Sequence, residues 1–294
     1  MEDVVTEVQD AICDAVSALD GRAFVEQRWE RPGGGGGRSR LLEGGDVIEK
    51  GGVNVSIVEG DLPAEAAASM RSRVENLPEN PVFHAVGISL VLHPRNPWVP
   101  AVHANFRRFA IQGGPWWYGG GADLTPNALD VADAIHFHGV WQAVCRRHAG
   151  VADHAAFKAW CDRYFFIGHR GEARGIGGIF FDDVRAETES APLAFVTDCA
   201  GSFLDSWLPL AERHHREPVS DADRAWQLHR RSRYAEFNLV YDRGTTFGLR
   251  TGARVASVLM SLPPLCTWTG DDPTPPGDAQ RALVDVLRKP VDWV

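Results

Sequence analysis

Hydrophobic and polar positions alternate with a period of two along several stretches, most clearly in AVHANFRRFAIQ (101–112). A period of two marks a strand, whose side chains point to opposite faces in turn. On that reading His103, Asn105 and Arg107 share one face with Phe109, and Val102, Ala104, Phe106, Arg108 and Ala110 share the other. HAVGISLVLH (84–93) alternates the same way and groups Gly87, Ser89, Val91 and His93. The proline-marked turn PRNPWVP joins the two strands. Paired across it, they would gather two histidines, an amide, a hydroxyl and a guanidinium on one surface. That surface is either a solvated sheet face or the wall of a polar cavity. Two facing strands of this content favour the cavity.

Further strands are predicted at GRAFVEQRWE (21–30), from about Ser39, at GVNVSIVEG (52–60), in PWWYGGGADLTP (115–126), at GIGGIFFDDV (175–184) and at YAEFNLVYDRG (234–244). Helical spacing of Val4, Val8, Ile12 and Val16 predicts a first helix over 3–18. Others are predicted over 63–77, 130–148, 153–167, 191–213 and, behind a Ser220 cap, 220–232, with one more near the end. SVLMSLPP (257–264) reads as the last core element. The five-glycine run in RPGGGGGRSRLLEGG is not followed by a helix start, and GxxxxGK[ST] is absent, so it reads as a flexible flap rather than a phosphate loop. No repeat or long linker divides the chain. The pattern predicts an α+β fold, with one domain over 1–294 built on a large, mostly antiparallel sheet with helices packed on it.

Composition adds limits. With 44% hydrophobic and 23% charged residues, the 294-residue chain can bury a sizeable core. A net charge of −9 argues against a general nucleic-acid partner and means that an anionic ligand needs a local basic pocket. No apolar run reaches membrane-spanning length. The acidic, amphipathic start is unlike a secretory signal, so a cytoplasmic location is expected. Cys13, Cys145, Cys161, Cys199 and Cys266 form no CxxC pair and fit reduced core thiols. GxGxxG, HExxH and GxSxG are absent.

Several residues remain as candidates for chemistry. Asp123 follows three glycines and is either a carboxylate aimed into a cavity or an Asx-type turn. GHRGEARGIGG holds His169, Arg170, Glu172 and Arg174, a binding loop or a local ion-pair network. Arg254 in TGAR offers a fork for a carboxylate. His136 and His138 diverge by about 200° on a helix and are unlikely joint ligands. His93, His103, His138 and His169 could converge on a metal, although their spacing does not require it.

GISLVLHPRNPWVPAVHANFR, WWYGGGADLTP, YFFIGHRGEARGIGGIFFDD and RYAEFNLVYDRGTTFGLRTGARVASVLMSLPP closely resemble the oxygen-dependent coproporphyrinogen III oxidases, and RPGGGGGRSRLLEGGDVIEKGGVNVS resembles that family's N-terminal pattern. The resemblance runs from about residue 24 to the end, and the visible departure is a short connection, RRFAIQGGPWWY. It implies a seven-stranded, mostly antiparallel sheet flanked by helices on both sides, in a homodimer paired through roughly 234–269. It implies oxidative decarboxylation of two propionates of coproporphyrinogen III to vinyl groups, giving protoporphyrinogen IX with O2 as oxidant and no organic cofactor. It further implies His103 as proton donor and Asp123 as the carboxylate on the pyrrole nitrogens. Ser89, Asn105, Phe106, Arg107, Gly252, Ala253 and Arg254 match substrate positions. Phe109 with Trp116 and Trp117 would supply an apolar wall. A divalent metal such as manganese, assigned in some relatives and denied in others, would fall on His93, His103, His138 and His169. Two rivals are a metal-dependent hydrolase and a tetrapyrrole carrier without chemistry.

Overall fold

A computed structural model describes residues 1–71, 77–250 and 254–294. Helix α1 (Glu2–Asp20) leads into β1 (Val25–Glu30), β2 (Gly35–Glu43) and β3 (Ile48–Asp61), then the short α2 (Ala64–Arg71). Next come β4 (Val82–Pro94), β5 (Ala101–Ile111), β6 (Trp116–Thr125), α3 (Val131–Arg147) and α4 (His154–Tyr164). A two-residue ribbon, β7 (Phe166–Ile167) and β8 (Glu172–Ala173), precedes β9 (Gly177–Val184). The chain closes with α5 (Ser190–Gly201), α6 (Phe203–His214), α7 (Asp221–Val240), α8 (Arg243–Arg250), α9 (Val255–Leu259) and α10 (Asp278–Arg288).

Strands β1 to β6 form a meander, and β9 returns beside β6 to complete a seven-stranded sheet. Every neighbouring pair in it is antiparallel. One face carries Val53, Ile88, Ala104, Phe106, Ala122 and Phe181 into a core closed by α1, α3, α5 and α6. Phe106 meets Trp141 of α3 at 6.3 Å between ring centroids, and the Trp207 indole donates to the Pro100 carbonyl at 2.9 Å. The other face is the polar one. It is partly roofed by α7 and by the segment around α9, so helices flank the sheet on both sides.

Four elements differ from expectation. Residues 234–240 continue α7 rather than forming a strand. Ser220 caps that helix in a reciprocal box with Asp223, and Trp226, Arg230, Tyr234 and Phe237 then bury one face at helical spacing. Local alternation in YAEFNLVY misleads because Leu239 and Val240 are exposed. Second, SVLMSLPP, read as a core element, is the end of α9 and the turn after it, with only Met260 and Pro263 buried. Third, 191–213 is two helices broken at Ser202. Fourth, the glycine run is not wholly a flap, since β2 starts at Gly35. A Cβ on Gly37 would fall 2.3 Å from the Trp29 ring, so these glycines let Trp29 lie against the sheet. All five cysteines are free, and all but Cys266 are buried.

Candidate active site

Strand pairing aligns the polar face into rows. Gln27, Ser39, Asn54, Ser89, Asn105 and Gly121 are successive cross-strand partners. The row on one side runs through Val91, His103 and Asp123, and the row on the other through Gly87, Arg107 and Gly119. His103, Asn105 and Arg107 are partly exposed, while Val102, Ala104 and Phe106, which alternate with them, are buried. The alternation read from the sequence is therefore the alternation of the site.

His103 is the accessible end of a line of fixed groups. Its Nδ1 lies 2.8 Å from Asp123 Oδ1. Arg174 Nη2 donates to the same carboxylate at 2.9 and 3.0 Å, and its Nε donates at 3.2 Å. The Arg174 guanidinium lies 4.2, 4.3 and 4.8 Å from the ring centres of Phe165, Tyr234 and Phe237. Its Nη1 donates to Asn238, whose amide donates to Ser261 Oγ at 3.1 Å. Asp123 is only 1% exposed, and burial alone would raise its pKa. The Arg174 charge and the hydrogen bond from His103 outweigh burial and lower it. An ionised Asp123 accepts only, so His103 Nδ1 carries the proton and Nε2 is left with a lone pair when the ring is neutral.

The carboxylate of Asp123 is held from within the protein. Both its oxygens accept from protein donors, and in this arrangement it lies directly behind His103. Phe106 is corrected, because its side chain points to the helical face, 1% exposed. Ser89, Asn105 and Arg107 do share the site face. Arg254 donates to Gln27 and lies 3.4 Å from Ser257 Oγ, over the β1 end of the same row. Gly252 and Ala253 lie outside the described residues. Of the aromatic wall, Phe109 and Trp117 stand 4.7 Å apart on the site face, with Phe83 stacked 5.8 Å from Phe109. Trp116 is on the opposite face, edge-on to Tyr118.

The four histidines proposed for a metal do not form one donor set. His93 lies with Nε2 2.9 Å from the Ser261 carbonyl, and burial pushes its pKa down to about 3. His138 sits on α3 behind the sheet, Nε2 3.2 Å from the Ile176 carbonyl, likewise pushed by burial to about 3. A carbonyl oxygen only accepts, so each Nε2 holds a proton and is closed to a metal. His169 binds Glu236 at 2.9 Å and the Tyr241 hydroxyl at 2.8 Å near the surface. Among the described residues, three metal-type ligands converge only at Asp130, Asp133 and His214, none of them expected. Residues 93, 103, 138 and 169 thus do not fit a shared ion.

Sequence reasoning noted Arg174 but did not assign it to the site, and it missed Asp182, Tyr234 and Asn238. The pair in FFDDV was a signal for Asp182. Strict alternation would have sent one of those two carboxylates into the core.

The coproporphyrinogen III oxidase family model matches residues 1–293. The chain belongs to that family. It is 46% identical to the oxygen-dependent coproporphyrinogen-III oxidase, chloroplastic, of Glycine max, covering all of this chain and 78% of that protein. It is also 46% identical to the mitochondrial protein of that name from Rattus norvegicus, of which it covers 68%, and to the Drosophila melanogaster protein, of which it covers 77%. No helix among the described residues is long and apolar enough to cross a membrane.

Proposed function

We propose that this protein is an oxygen-dependent oxidase that decarboxylates two propionates of coproporphyrinogen III to vinyl groups, giving protoporphyrinogen IX. The observation that carries the reading is one half-exposed sheet face, in a member of this family, that presents Arg107 beside the line His103–Asp123–Arg174. Arg107 and Arg254 have the chemistry to receive carboxylates. The Phe109 and Trp117 rings give apolar contact for a pyrrole.

For each ionised propionate the balance is R–CH2–CH2–COO⁻ + O2 + H⁺ → R–CH=CH2 + CO2 + H2O2. The C–C bond to the carboxylate breaks, one C–H bond breaks, and O2 takes two electrons. One proton of the peroxide derives from the C–H bond and the other must be supplied. His103 Nε2 is placed to move it, with Asp123 fixing the ring. Asn105 and Ser89 are polar contacts for the substrate between His103 and Arg107. No step is assigned to a metal or an organic cofactor.

Residues 1–294 work as one domain in this reading, supported by a hydrophobic cluster that runs from Val5 to Leu287. A homodimer through roughly 234–269 belongs to the proposal, supported by exposed Leu239, Val240, Val255, Leu265 and Trp268. A cytoplasmic location belongs to it too, although named relatives are chloroplastic or mitochondrial.

The test is turnover of coproporphyrinogen III by dialysed, chelator-treated protein, in air and without it, with oxygen uptake recorded. Product in air alone, with matching oxygen consumption, supports the proposal. Tight porphyrinogen binding without oxygen uptake would make the protein a carrier. Activity restored only by added metal would return a metal to the mechanism.

A further inference from the structure

We infer that Asp182 is the positioning residue of Arg107, holding its guanidinium over a gap in the sheet so that its free N–H groups face the substrate carboxylate. This rests on the reading of Arg107 as a carboxylate-binding residue.

Three features of the sheet converge on the pair. Arg107 Nη2 lies 3.0 Å from Asp182 Oδ2, and Nη1 donates to Asn105 Oδ1 at 3.4 Å. A guanidinium has five N–H groups, so these two contacts fix the fork and leave donors for a ligand. Both side chains are partly exposed, 41% for Arg107 and 25% for Asp182, so the pair borders the open strip and is not sealed in the core.

The strands beside Arg107 are cut back to make room. Its cross-strand partners are Gly87 on one side and Gly119 on the other. A Cβ on Gly119 would come within 2.5 Å of Asp182 Oδ1 and 3.0 Å of Arg107 Nη2. Gly119 is not among the residues with positive φ. The absence of a side chain, rather than an unusual backbone, is what the site uses there.

Strand β9 is also bulged beside Asp182. Tyr118 pairs with Val184 and Gly120 with Phe181, so Asp182 and Asp183 together oppose Gly119 in a bulge. Asp183 takes φ 56, the one positive φ at a non-glycine among the described residues. A regular strand would set Asp183 against Tyr118, which is fully buried on the core side. The extra residue sends Val184 there instead and keeps Asp183 out of the core, while Asp182 stays opposite Gly119 on the site face. Bulges re-aim side chains in this way, and strain of this kind persists where the surroundings impose it. The bulge leaves Asp182 Oδ1 buried without a hydrogen-bond partner.

The experiment measures KM and kcat for coproporphyrinogen III in Asp182→Asn, Asp182→Glu and Gly119→Ala, each with and without Arg107→Lys. With Asp182→Asn, KM should rise about tenfold, the scale of a weakened charged hydrogen bond, and kcat should fall less. Gly119→Ala should act in the same direction, and Asp182→Glu should recover part of the loss. In the Arg107→Lys background Asp182→Asn should add nothing, because no fork remains to be aimed. A wild-type KM in Asp182→Asn, or a KM effect undiminished in the Arg107→Lys background, overturns the inference. So does lowered thermal stability with unchanged KM. Should Asp182→Asn fail to fold, Gly119→Ala decides by the same readouts. A wild-type KM in Arg107→Lys alone would instead overturn the reading of Arg107.

Discussion

Asp123 carries opposing effects on one carboxyl group: burial raises its pKa, while Arg174 and His103 lower it by more. A carboxylate whose folded pKa lies below its unfolded value stabilises the protein above the unfolded value. That stability is lost as pH falls through the folded value. Asp123→Asn removes the titrating charge and leaves Arg174 buried with a neutral partner, which costs about 3–5 kcal/mol at neutral pH. The variant should show a shallower loss of stability than wild type as pH falls through the acid range, followed by urea unfolding at stepped pH. Parallel curves would mean that the pair does not act on folding. Turnover should fall by about 10²-fold, because His103 loses the charge that orients it. Phe106 makes the opposite case. Its position in the motif marked it for substrate, but its parity in the strand sends it to the core. Phe106→Ala should therefore cost about 3–5 kcal/mol in stability. A variant of unchanged stability and raised KM would return Phe106 to the site.

Strand parity was the most legible part of the fold, because a period of two in β4 and β5 needs no partner to be read. His103, Asn105 and Arg107 followed from it directly. Arg174 did not, since only the return of β9 and the packing of α7 bring a loop arginine against β6. The α7 error is also one of scale. Its cap was visible at Ser220, but its length was set by tertiary burial of Tyr234 and Phe237, against β-favouring Val240 and Tyr241. The same cap makes the helix testable. Ser220→Ala removes the hydroxyl that accepts from the Asp223 amide and should cost about 1 kcal/mol. A denaturant midpoint unchanged from wild type would show that packing alone sets where α7 begins.

At the scale of the whole molecule, the net charge of −9 opposes long-range attraction of a substrate with several carboxylates. Recognition must then rest on short-range cations, and the partners of Arg107 matter more than the overall charge. The surface poses a separate question. Leu239, Val240, Val255, Leu265 and Trp268 are each about half exposed or more, and all fall within 239–268. Scattered apolar residues on a surface need no explanation, but a run of them from one stretch of chain does. The Trp268 indole is held outward by a hydrogen bond to Glu236, which also binds Arg170 and His169. Glu236 is drawn down to about pKa 2, chiefly by Arg170, so the anchor stays charged at neutral pH. A fixed, exposed aromatic has the character of an interface anchor. Sedimentation at micromolar concentration should give about twice the 32.3 kDa chain mass. Leu265→Asp should shift the protein toward the monomer without unfolding it, because that side chain is already exposed. A wild-type protein that sediments as an active monomer would remove the dimer from the proposal. The apolar stretch would then be an exposed surface in need of another partner.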